Sequence, residues 1–80
     1  MTIQNNYFET IDSLYFNGEI HKEKIEKNAS KILSNIRPDI YAVEAYTKSG
    51  LILSATVHLQ GKIPQKTLTI NNDGKFTINE

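Results

Sequence analysis

The chain has no cysteine, which excludes disulfides, thiolate nucleophiles and the commonest structural zinc sites. It has no excess of either charge, with 9 basic against 9 acidic residues. A domain that grips nucleic acid non-specifically is ordinarily basic, so this balance weighs against that role. No apolar run approaches the ~20 residues that span a bilayer, so no membrane association is expected. Residues 1–9 hold neither the basic region nor the apolar stretch that opens a secretory signal. With neither a signal nor disulfides, a cytoplasmic location is the expectation. The four glycines never cluster, so no loop is built to cradle a phosphate. Repeats, Pro-rich or Gly/Ser-rich linkers and low-complexity tracts are lacking too.

What remains is an ordinary globular composition of 80 residues, 39% apolar and 22% charged. This is too hydrophobic for a disordered tail and too short to divide, so residues 1–80 are expected to form a single domain. A chain of this size buries only about 60% of its unfolded surface, which leaves little room for a deep active-site cavity.

The first 37 residues carry helical spacing. Ile25, Ala29, Ile32, Leu33 and Ile36 form one face of a 3.6-residue period, with Lys22, Glu23, Lys24, Glu26, Lys27, Lys31 and Ser34 opposite. Arg37-Pro38 would end such a helix, because proline disfavours helical geometry in the residue before it. Further upstream, Ile3, Tyr7, Phe8, Ile11, Leu14 and Tyr15 fit a second stripe. Asn6 and Glu9 there resemble a capping box, and Gly18 stands where a helix would end. A rival reading is a hairpin at Asn17-Gly18, which would pair Tyr15 with Ile20. The length of the stripe favours the helix.

After Pro38 the period becomes two. Tyr41, Val43 and Ala45 alternate with polar neighbours, as do Leu51, Leu53, Ala55, Val57 and Leu59, then Leu68 and Ile70, then Phe76 and Ile78. A three-residue loop at Lys48-Ser49-Gly50 would set Ala45 opposite Leu53, Val43 opposite Ala55 and Tyr41 opposite Val57, with the apolar members on one side. The loop Asn72-Asp73-Gly74 likewise pairs Ile70 with Phe76 and Leu68 with Ile78. These patterns predict an α+β fold, a two-layer sandwich with N-terminal helices packed on one face of a four-stranded antiparallel meander. The expected core is Ile25, Ala29, Ile32, Leu33, Ile36, Tyr41, Val43, Leu51, Leu53, Val57, Leu68, Ile70, Phe76 and Ile78.

Chemistry is sparse. His21 is expected among Lys22 and Lys24, which repel a metal cation, and His58 on a polar strand face with only Gln60 nearby as a poor ligand. No serine stands in a G-x-S-x-G or S-x-x-K context. Glu9 and Asp12 are spaced for solvation on a helix. Asn72-Asp73-Gly74 lacks the alternating ligands and the downstream glutamate of a calcium loop. No catalytic, cofactor-binding or metal-binding residue emerges, and the expectation is a protein that is not an enzyme.

Charge is uneven along the chain: residues 1–20 sum to −3 and residues 21–37 to +3. Two oppositely charged helices attracting one another would account for this. The alternative is a basic helix whose Lys24, Lys27, Lys31 and Arg37 contact a nucleic-acid backbone or an acidic protein.

The open sheet face is expected to carry Ile40, Ala42, Glu44, Tyr46, Ile52, Ser54, Thr56, His58, Thr67, Thr69, Lys75 and Thr77. Exposed apolar bodies grouped on a flat surface mark interfaces, so Tyr46, Ile52, Thr56 and His58 form the candidate partner-binding site. The last strand, Lys75 to Ile78, is expected to be a sheet edge, only in part protected by Lys75 and Glu80. The reading is a small protein-interaction module of the inhibitor, adaptor or immunity type, a profile frequent among phage and mobile-element proteins. It would dock another protein through the sheet face or an edge strand, with homodimerisation as a further expectation. The alternatives are a nucleic-acid-binding accessory domain and a small-ligand sensor with its cleft between helices and sheet.

Overall fold

The computed structural model describes residues 1–79; Glu80 lies outside the described residues. Eight strands follow one another: β1 (Thr2–Asn5), β2 (Ile11–Phe16), β3 (Glu19–His21), β4 (Ser30–Ile32), β5 (Asp39–Thr47), β6 (Ile52–Leu59), β7 (Thr67–Ile70) and β8 (Phe76–Asn79). The only helical element among the described residues is one 3-10 turn at Ile63–Gln65, around Pro64.

The expected α+β architecture with N-terminal helices is thereby corrected to an all-β one. Two four-stranded sheets, ordered β4-β1-β7-β8 and β3-β2-β5-β6, share one core. From the first sheet come Ile3, Leu68 and Ile70; from the second, Ile11, Leu14, Phe16, Val43, Ala45, Val57 and Leu59. The four-stranded meander is corrected with it. Strands β5 and β6 belong to one sheet and β7 and β8 to the other, although both hairpins keep the expected registers, Val43 opposite Ala55 and Leu68 opposite Ile78. Within the first sheet β1 lies between its two partners, antiparallel to β4 and parallel to β7, with Ile3 opposite both Lys31 and Leu68.

Two local features decide against the helices. Asn17 and Gly18 both have positive φ, 51° and 83°, the combination a two-residue type I′ turn demands. Tyr15 therefore faces Ile20 across a hairpin. The Asn17 side chain reinforces the turn, its Oδ1 accepting the Ala42 N–H at 2.7 Å and its Nδ2 donating to the Ile40 carbonyl at 3.2 Å. In the segment expected as the long helix, Asn28 and Asn35 are left-handed, at φ 65° and 64°, which a continuous right-handed helix does not permit. That stretch is instead a strap: Ile25 exchanges both backbone hydrogen bonds with Ile11, the Asn5 N–H donates to the Ala29 carbonyl, and β4 pairs with β1.

Burial follows this rearrangement. Ile25, Leu33, Val43, Val57, Leu68 and Ile70 are buried as expected, with Ala29, Ile36, Tyr41, Leu53, Phe76 and Ile78 packed against them. Ile32 and Leu51 are corrected: they are 76% and 51% exposed, Ile32 because it sits on the outward side of β4 opposite Thr2. Strands β1 and β2 instead supply Ile3, Ile11, Leu14 and Phe16 to the core.

Candidate functional site

Strand alternation sorts the second sheet into a packed side and an outer face. Leu14 and Phe16 on β2, Val43 and Ala45 on β5, and Val57 and Leu59 on β6 turn inward and are buried. Their neighbours turn outward, and the register arranges them in cross-strand rows. Ser13, Tyr46 and Ile52 make one row; Ile20, Tyr15, Glu44 and Ser54 the next; then come Ala42 with Thr56, and Ile40 with His58.

All four residues of the candidate partner-binding site thus lie on one face. Tyr46 and Ile52 are directly opposite one another, and Thr56 and His58 follow along β6, both exposed. The hairpin at Asn17-Gly18 adds two residues that the helical reading kept away from this face. Tyr15 packs against Tyr46 with ring centroids 5.0 Å apart and planes tilted by 54°, and Ile20 beside it is exposed. The signal that could have found them was the Asn-Gly dipeptide itself. Ile40 and Ile52, 54% and 51% exposed, lie towards opposite ends of the face. Glu44 puts an acidic side chain into the middle of the face, in the row between Tyr15 and Ser54.

The remaining members of the expected face lie elsewhere. Thr67, Thr69 and Thr77 belong to the outer face of the first sheet, in rows with Thr2 and Gln4, because β7 and β8 are in the other layer. Threonine is a good strand former, and this surface is explained by that preference. Lys75 precedes β8 in the Asn72-Asp73-Gly74 turn region, where its N–H donates to Asp73 Oδ1 at 3.0 Å.

The basic set is divided. Lys24 on the irregular strap and Lys31 on β4 line one depression together with Glu26, while Lys27 stands elsewhere on the strap and Arg37 in the loop before Pro38, so no helix face gathers the four. The loop holding Arg37 is tied down where the Tyr41 hydroxyl donates to the Arg37 carbonyl at 2.8 Å. The cleft between helices and sheet, on which a small-ligand sensor was to rest, is corrected in the same way because it lacks its helical wall.

His21 is half-buried on β3 and meets the Phe16 ring edge-on at 5.4 Å, whereas His58 stands outward on β6. Among the described residues, no group of three or more His, Asp or Glu is placed to hold a metal ion. No described helix is long and apolar enough to cross a membrane. The depressions over the outer face are small: one of about 250 Å³ lies between Pro38, Ile40, His58 and Gln60. What the arrangement offers chemically is a flat, mostly uncharged surface with an aromatic pair among exposed isoleucines. No protein-family model, no curated protein and no solved structure matches the chain.

Proposed function

We propose that the protein is a non-enzymatic protein-interaction module, an inhibitor, adaptor or immunity-type regulator, whose working surface is the outer face of the β3-β2-β5-β6 sheet. The observation that carries this reading is the packed Tyr15–Tyr46 pair with exposed Ile52 opposite Tyr46 and exposed Ile20 opposite Tyr15. Interface centres are depleted in charge and enriched in aromatic residues, and tyrosine offers a large contact area at small entropic cost. The sheet backbone holds these side chains in place before any partner arrives, which lowers the cost of association.

The test compares the tagged protein with a Tyr46→Ala, Ile52→Ser double variant in capture from the cells that encode it, read by quantitative mass spectrometry. Both substitutions lie on the outward side of their strands, so the circular dichroism spectrum should not change. A partner held by the unaltered protein should be depleted about 30-fold with the variant, the effect of losing ~2 kcal/mol at a binding hot spot. Equal recovery of every retained protein by the two forms would remove the outer face as the docking surface. Salt-sensitive binding of an oligonucleotide would instead favour the cations Lys24, Lys27, Lys31 and Arg37.

A further inference from the structure

The two sheets have four edges, and they are not alike. Strands β3 and β4 are three residues long, and each contains a charge, Glu19 or Lys31. Strand β8 has four residues and follows Lys75. Shortness and charge of this kind are the usual protection of a sheet edge. Strand β6 has neither: it is eight residues long, reads ILSATVHL, and contains no Lys, Arg, Asp, Glu or Pro. Its pairing with β5 runs from Ile52 to Leu59 without a bulge.

The pattern of hydrogen bonds shows what this edge exposes. The Thr47 N–H donates to the Leu51 carbonyl at 2.9 Å, so the pairs at two-residue intervals, Ala45/Leu53, Val43/Ala55 and Tyr41/Val57, are those bonded across to β5. The N–H and C=O groups of Ile52, Ser54, Thr56 and His58 therefore point away from the sheet. Among the described residues no backbone group caps them, and all four residues are exposed.

We infer that β6 pairs antiparallel with β6 of a second copy of this chain, joining two four-stranded sheets into one continuous sheet. A two-fold axis normal to the sheet at Ala55 sets Ser54 beside the second copy's Thr56 and Ile52 beside its His58. This register engages all four outward residues of each strand and keeps the packed side of one copy level with that of the other. Shifting it by two residues towards Gln60 leaves fewer strand residues paired. No Asp, Glu, Lys or Arg is brought against its like on β6. The register also continues the outer face: the row of Ile40 and His58 runs on into Ile52 and Tyr46 of the second copy. The pairing uses backbone groups at the edge and does not rest on the outer face having a partner of another kind.

Sedimentation and amide hydrogen exchange over a range of concentrations test it. The expected result is a mass rising from the 9.1 kDa of one chain to twice that. The amides of Ile52, Ser54, Thr56 and His58 should slow in step, while those of Leu53, Ala55 and Val57, already bonded to β5, should not change. Ser54→Lys with Thr56→Lys opposes like charges at the axis and should abolish the dimer. Ser54→Lys with Thr56→Glu sets opposite charges across it and should retain the dimer. Circular dichroism of both variants checks that each is folded. A chain that stays at 9.1 kDa at millimolar concentration would overturn the inference. So would a dimer whose four outward amides exchange no more slowly, or one that tolerates the double lysine variant.

Discussion

Asn5 is the polar residue most deeply committed to the core. It is fully buried, and its side chain closes three connections. Nδ2 donates to the Glu9 carbonyl at 2.8 Å and to the Ile25 carbonyl at 2.9 Å, while Oδ1 accepts the Tyr7 N–H at 2.9 Å. One amide thus holds the loop after β1 and the strap around Ile25 against the same strand. Replacing it by alanine strands buried groups whose unsatisfied state costs about 1–3 kcal/mol each. Asn5→Ala should lower stability by about 3 kcal/mol, visible as a lower urea midpoint. Asn5→Asp makes a sharper test, because it turns a donor into an acceptor facing two carbonyls. The introduced carboxylate is disfavoured in the folded state, so its folded pKa lies above the ordinary ~3.9 of aspartate. The added penalty is then full above the folded value and is relieved as pH falls through it towards the unfolded one. A urea midpoint for Asn5→Asp that failed to recover relative to Asn5→Ala on acidification would contradict this account of the amide.

At the scale of elements, the turns govern both what the chain does and what could be read from it. Gly18 and Gly74 have nearly the same positive φ, 83° and 82°, but different surroundings. A Cβ at Gly18 would meet nothing within 4 Å, whereas one at Gly74 would stand 3.3 Å from Leu53 Cδ2 on β6. Gly18→Ala should therefore cost only the backbone strain, about 1 kcal/mol, and Gly74→Ala more, because it also disturbs the contact between the layers. Urea midpoints in the opposite order would contradict this packing. The hairpins at 48–50 and 72–74 were legible because a short turn and an alternating stripe fix register together. The N-terminal half was not. The bulge between Ile11 and Ser13 turns Ile11 and Leu14, three residues apart, to the same buried side, which imitates helical spacing in a strand. In the strap, Ile25 and Leu33 are buried and Ile32 is exposed. Its apparent stripe is held together by bonds to Ile11, Asn5 and Met1, and none of those distant partners is written in the local period. Tyr46, Ile52, Thr56 and His58 could be placed on one face because they lie on the legible hairpin. Tyr15 and Ile20 required choosing Asn17-Gly18 over the stripe.

For the whole molecule, the consequence is one core closed by two thin layers, in which neighbouring positions meet opposite surroundings. Strand β6 gives the cleanest contrast. Val57 is 6% exposed and packs in the shared core, whereas Thr56, the residue before it, stands on the outer face in a row with Ala42. A globular chain of this size has a total stability of about 4–12 kcal/mol. An uncompensated charge in its interior costs about 3–5 kcal/mol, a large part of that margin. Val57→Asp should therefore abolish or severely weaken the cooperative thermal transition, because the carboxylate would lie between the apolar layers. Thr56→Asp introduces the same charge on the same strand but turns it to water, and its effect should stay within about 0.5 kcal/mol. Thermal unfolding is best measured at low concentration, where association through the β6 edge makes no contribution to the transition. Two variants one residue apart thus separate orientation from strand propensity. Equal losses in both would mean that β6 is buried on both sides. Loss confined to Thr56→Asp would mean that the sheet is turned over, and the proposed docking face with it.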